Sequence, residues 1–179
     1  MYKITVMKDA LSVIAQRKSV RHFTEEKLSN EQIELLLRAA MAAPSAKNTQ
    51  PWEFIVVTDR AILDAMGEKL PHAKMLLQAP AAIVVCGNVA KFAPEAELNW
   101  VSDCAAATEN ILLAAEAIGL AAVWTAAFPY PERIAAVREY IKNIPKEVVP
   151  LAVIPVGYAA REEKAKDKWR PEKIHYNQW

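Results

Sequence analysis

Arg17, Ser19 and Arg21 stand at alternate positions in QRKSVRHF, residues 16–23. Alternate side chains of an extended segment share a face, so this spacing aims two guanidiniums and a hydroxyl at one place. An arginine fork grips phosphate with two parallel hydrogen bonds, and a serine hydroxyl can donate another. A charged turn after a helix is most often just solvated. Here a second cationic series near the other end, Lys164, Lys166, Lys168 and Arg170, could converge with the first on one small dianion.

A different chemistry marks APSAKNTQPWEF, residues 43–54, where Pro44, Ser45, Asn48, Thr49, Gln50 and Pro51 form a polar stretch. Most helix-to-strand connections have no further role. This one carries uncharged donors and acceptors of the kind that suit the amide-like edges of a flat heterocycle. His22, His72 and His175 have no metal-ligand spacing, and Asp103 falls on a polar stripe where a capping or interface hydrogen bond is its natural role.

Other sites are excluded by what is missing. The four glycines, Gly67, Gly87, Gly119 and Gly157, build neither GxGxxG nor GxxxxGK[ST], so a phosphate here must be held mainly by cationic side chains. A net charge of +1 with both signs scattered along the chain argues against a nucleic-acid footprint. No apolar run is long enough to span a bilayer, and the N-terminus lacks a signal-peptide core, which points to the cytoplasm. Cys86 and Cys104 form no CxxC and are expected as two buried free thiols.

These residues need a scaffold, and 179 residues with 53% apolar content can supply one core. Ser29 and Gln32 form a capping box for a helix over 28–43, stopped by Pro44. Strands are expected over 53–58 and 81–88, with a helix between them, capped by Thr58 or Asp59 and running to about residue 70. A long helix over 98–118 carries Asn99, Ser102, Asp103, Glu109 and Glu116 on one stripe and is otherwise broadly apolar, which suits either the central helix of one core or, better for so short a chain, a subunit interface. A short strand-like segment AAVWTAAF, a helix over 131–141, and a strand VVPLAVIPVGYA follow. The prolines in that last strand push it toward an edge or a bulge. Residues 159–179 are charged yet rich in aromatics, and read as an arm that docks on something. Helices and strands alternate, giving an α/β or α+β class with helices covering a sheet.

In order, RKSVRHF, APSAKNTQPWEFIVV, AIGLAAVWTAAF and IPVGYAA…KDKWRPEKIHYNQW span nearly the whole chain. Together they resemble the nitroreductase family of FMN-dependent NAD(P)H oxidoreductases, in one of its shorter forms. The resemblance implies an α+β fold, three-layer α/β/α-like, with a mixed, mainly antiparallel sheet. It implies a single domain over 1–179 and an interlocked homodimer in which the arm, 159–179, exchanges onto the partner.

By the same resemblance, Arg17 and Ser19 bind the FMN phosphate with Lys18 nearby, and Arg21 reaches the pyrimidine edge. A cation there stabilises the negative charge of reduced flavin. Pro44, Ser45, Ala46, Asn48 and Gln50 line the ring from the partner chain. Trp124, Thr125 and Ala126 pass its other face, with backbone N–H groups near N5. Lys168 or Arg170 completes the phosphate site, since Trp169 leaves the register before Pro171 open. No side chain need be a catalyst. NADH or NADPH and then a nitroaromatic or quinone would use one open flavin face in turn. Alternatives are a specialised flavin enzyme of this fold and a flavin- or nucleotide-binding module without turnover.

Overall fold

The computed structural model describes residues 9–92 and 98–179. Asp9 caps α1 (Ala10–Gln16), and Ser29 caps α2 (Asn30–Met41). The capping box is closed in both directions: Gln32 N–H donates to Ser29 Oγ at 3.2 Å and Ser29 N–H to Gln32 Oε1 at 3.0 Å. β1 (Trp52–Val57) leads to α3 (Arg60–Lys69), which Asp59 rather than Thr58 caps. β2 (Ala81–Asn88) and the long α4 (Asn99–Ala117) follow, then the two-residue strands β3 (Ala121–Ala122) and β4 (Thr125–Ala126), α5 (Pro131–Tyr140) and β5 (Val148–Gly157).

The sheet runs β1-β2-β5-β3, with β4 also on β5, and every strand pair is antiparallel. Among the described residues the one parallel element is a bridge between Ser19 and Ala122. Both faces are covered. Along β2, Ala82, Val84 and Cys86 enter one core with residues of α3 and α5, while Ala81, Ile83 and Val85 enter another with α2 and α4. This strict period of two makes a three-layer α/β/α arrangement of a central strand.

β5 corrects one expectation. Its prolines do not place it at an edge, because β2 pairs on one side and β3 and β4 on the other. The bulge is there: the register jumps between Val85–Ala152 and Cys86–Pro150, and Leu151 and Ala152, adjacent in sequence, both enter the α4-side core. Pro155 accepts from Val123 N–H at 3.3 Å in the step between β3 and β4. Its missing donor therefore falls where the ladder is already interrupted.

α4 docks on the sheet through Trp100. A Cβ on Gly87 would stand 2.2 Å from Trp100 Cε3, so only glycine admits the indole there. The polar stripe of α4 is turned partly into protein: Asp103 and Glu116 are 7% and 8% exposed. Both cysteines are buried free thiols, as expected.

Candidate functional site

After α1 the chain runs extended along β3. Val20 N–H donates to Ala122 O at 3.1 Å, and the Val20 side chain is buried. The pleat that buries Val20 gives Arg17, Ser19 and Arg21 the opposite face. Arg17 Nε lies 3.1 Å from Glu109 Oε1, and Lys18 Nζ 2.9 Å from Glu116 Oε2, so α4 holds both cations from below. Arg21 is exposed and has no ion pair among the described residues.

The arm supplies a second wall. Arg17, Lys18, Ser19 and Arg21 on one side and Glu163, Lys164, Lys166 and Lys168 on the other enclose a cavity of about 300 Å³. Six cationic side chains face one carboxylate, and that carboxylate already accepts from Arg161 Nε at 3.0 Å. Such a cleft concentrates positive potential and draws anions. Arg170 lies outside this lining. It donates to Trp169 O and stands 3.9 Å from Glu172, so of the two arm candidates Lys168 is the one brought to the cleft.

Beside the cationic strip runs the segment 121–127. Val123 and Ala127 N–H donate to β5 at Pro155 and Leu151. In an antiparallel strand the alternate groups, Trp124 and Ala126 N–H, then face the other edge. Thr125 turns its hydroxyl back to donate to Val153 O at 2.6 Å.

The polar loop 44–50 is built apart from these. Ala46 N–H donates to Asp103 Oδ1 at 3.0 Å, and Gln50 N–H to Ser45 Oγ at 3.0 Å. Gln50 Nε2 donates to Asn48 Oδ1 at 3.0 Å, and Lys91 Nζ to Gln50 O at 2.8 Å. The Ser45 hydroxyl keeps its own proton to donate. Lys47, Asn48 and Gln50 take φ of 51°, 55° and 46°, a left-handed conformation costly for residues other than glycine. Pro44, Ser45 and Ala46 border a separate open cavity of about 390 Å³ with Asn99, Ser102, Asp103 and Ala106 of α4. It shares no residue with the cationic cleft.

Burial pushes both the Cys86 and the Cys104 thiol up to about 12. No group of three or more His, Cys, Asp or Glu that could hold a metal occurs among the described residues. Glu109 and Glu116 as partners of the cationic strip, and Glu163 as a wall of the cleft, are not evident from the sequence. Glu109 and Glu116 lie seven positions apart on one helix face. That spacing shows the stripe but not what it meets.

A cationic cleft, a polar loop and the 121–127 strand edge are the features that the helix-covered antiparallel sheet carries. The chain belongs to the nitroreductase family, whose profile matches residues 14–73 and 67–158. A protein of Archaeoglobus fulgidus named "Putative NADH dehydrogenase/NAD(P)H nitroreductase" is 44% identical over 97% of this chain and 100% of its own. A crystal structure of a like-named protein from Bacteroides thetaiotaomicron is 51% identical, with a TM-score of 0.91 over 97% of this chain and 100% of that one. An FMN-dependent nitroreductase from Clostridium difficile is 27% identical, with a TM-score of 0.86 over 94% and 99%. No helix among the described residues is long and apolar enough to cross a membrane.

Proposed function

We propose that this chain is an FMN-dependent NAD(P)H oxidoreductase that works as a homodimer in the cytoplasm, where its two unbridged thiols would stay reduced. The observation that carries the reading is the cleft in which Arg17, Ser19 and Arg21 meet the lysines of the arm. Arg17, Ser19 and Lys168 would hold the phosphate, with Lys18 close by, and Arg21 would lie along the pyrimidine edge. Trp124 and Ala126 would present N–H groups to one side of the ring. FMN held there would supply the hydride chemistry at N5. NADH or NADPH and then a nitroaromatic or quinone would exchange in turn at one open face, a ping-pong sequence.

Two copies explain why the loop and the cleft are apart on one chain. The loop is tied to α4 at Asp103, and the strip at Glu109 and Glu116. At a rise of about 1.5 Å per residue these glutamates lie about 9 and 20 Å farther along the axis. A two-fold crossing of antiparallel α4 helices would bring the loop of one copy, with Pro44, Ser45, Ala46, Asn48 and Gln50, to the cleft of the other. The surface for it is apolar. Val13, Ile14, Ala39, Ala42, Leu113 and Ala117 line a groove between α1, α2 and α4, and Leu11, Ile14 and Met41 are exposed beside it.

The test is the visible spectrum of the purified protein with added FMN, followed by anaerobic mixing with NADPH or NADH. The expected result is a bound flavin that bleaches and recovers its colour with a quinone. A protein that ignores FMN overturns the reading, and a bound flavin that never bleaches reduces it to a binding module.

A further inference from the structure

We propose that Asp103 is a positioning residue of this site: its buried carboxylate fixes the loop 44–50 at the level where the loop meets the cofactor ring. The ring rests on the FMN reading above; the anchoring of the loop does not.

The loop holds its own shape but needs a post. Its hydrogen bonds from Gln50 to Ser45 and Asn48 close it on itself and tie it to nothing else. Three of its four residues from Lys47 to Gln50 are left-handed without being glycine, a conformation that lasts only where the surroundings over-determine it. Lys91, itself exposed, holds the far end at Gln50 O. The near end is held by Asp103 Oδ1 through Ala46 N–H at 3.0 Å, from a helix packed on the sheet by Trp100. A carboxylate is the strongest acceptor a side chain offers a backbone N–H.

Stability does not account for this residue. Asp103 is 7% exposed, and its Oδ2 is buried with no hydrogen-bond partner among the described residues. A carboxylate buried with one oxygen unsatisfied is a cost that an apolar side chain beside Cys104 and Ala107 would avoid. It borders the same open cavity as Pro44, Ser45 and Ala46, so what it gains is control of the loop.

The bond can be broken from either end. Asp103→Ala removes the acceptor, and Asp103→Asn keeps a carbonyl oxygen in its place. Ala46→Pro removes the donor, and Ser45 is already extended (φ −141°, ψ 153°), as a residue before proline must be. Hydrogen exchange of the loop amides, which needs no flavin, is expected to quicken in Asp103→Ala and Ala46→Pro and to stay near wild type in Asp103→Asn. FMN affinity is expected to fall about tenfold or more in the first two and to be largely retained in the third. The visible circular dichroism of bound flavin should change in the same order. Adding Asp103→Ala to Ala46→Pro should cost little more than Ala46→Pro alone. Unaltered loop exchange in Asp103→Ala, or an Asn variant as impaired as the Ala variant, overturns the proposal. A wild type that binds no FMN would overturn the flavin reading instead, and the exchange comparison would still decide the anchor.

Discussion

Arg17 is held on one side by Glu109 and faces the cleft on the other, so its guanidinium is placed before any anion arrives. A hydrogen bond to a charged group contributes roughly 1.5–3 kcal/mol. Arg17→Ala is therefore expected to weaken FMN binding about tenfold or more, read as a dissociation constant by fluorescence. Lys168→Ala should weaken it too and Arg170→Ala should not, because of these two residues only Lys168 lines the cleft. The reverse order would move the phosphate contact to Arg170. The thiols give a pH prediction. Burial raises both folded-state values from 9.0 to about 12, so the folded chain keeps protons that the unfolded chain releases. Their contribution is complete below about pH 9 and is lost as pH rises toward 12. The melting temperature should fall above pH 9, and less steeply in a Cys86→Ala, Cys104→Ala double variant. Parallel slopes for the two proteins would contradict this.

Elements differ in how openly the sequence declares them. α2 and α4 were legible because a capping box and long apolar periodicity are local signals. The alternation of Arg17, Ser19 and Arg21 was legible for the same reason, since a period of two needs no knowledge of the neighbour. β5 was half legible. Its prolines announced a bulge, but only the pairing of β3 and β4 on its far side makes it interior. The roles of Asp103, Glu109 and Glu116 were hidden, because a stripe on one helix says nothing of a loop 57 residues away or a strip 98 away. Gly87 is a further long-range case. Gly87→Ala would drive a methyl into the Trp100 ring and lift the start of α4 from the sheet. Overpacking of this kind costs about 1–3 kcal/mol, and more where backbone must move. A clear drop in melting temperature is expected, with weaker FMN binding because Asp103 rides on the same turn. An unchanged melting temperature would mean that the indole can move aside.

For the whole molecule, the arm is the feature that one chain leaves unfinished. Its root is pinned: Ala159 bridges Phe23, and Ala160 N–H donates to His22 O at 2.9 Å. Beyond the root nearly every residue is exposed, with Tyr176 at 80% and Trp179 at 100%. Both core clusters are complete without it, since their most C-terminal member is Tyr158. Removing residues 161–179 should therefore leave the fold and its cooperative unfolding intact while taking away Lys164, Lys166 and Lys168 from the cleft. Two losses are expected together. FMN affinity should drop by more than in any single lysine variant, because three cations leave at once. The homodimer proposed above should also dissociate at higher concentration when truncated than as the full chain, seen by light scattering across a dilution series, because aromatic surface left open on one copy is what a second copy would cover. The two readouts separate the arm's roles. A truncated chain that loses FMN but stays fully dimeric would make the arm a cofactor clamp with no part in assembly. One that keeps both would remove the arm from the site and leave the phosphate to Arg17, Ser19 and Arg21 alone.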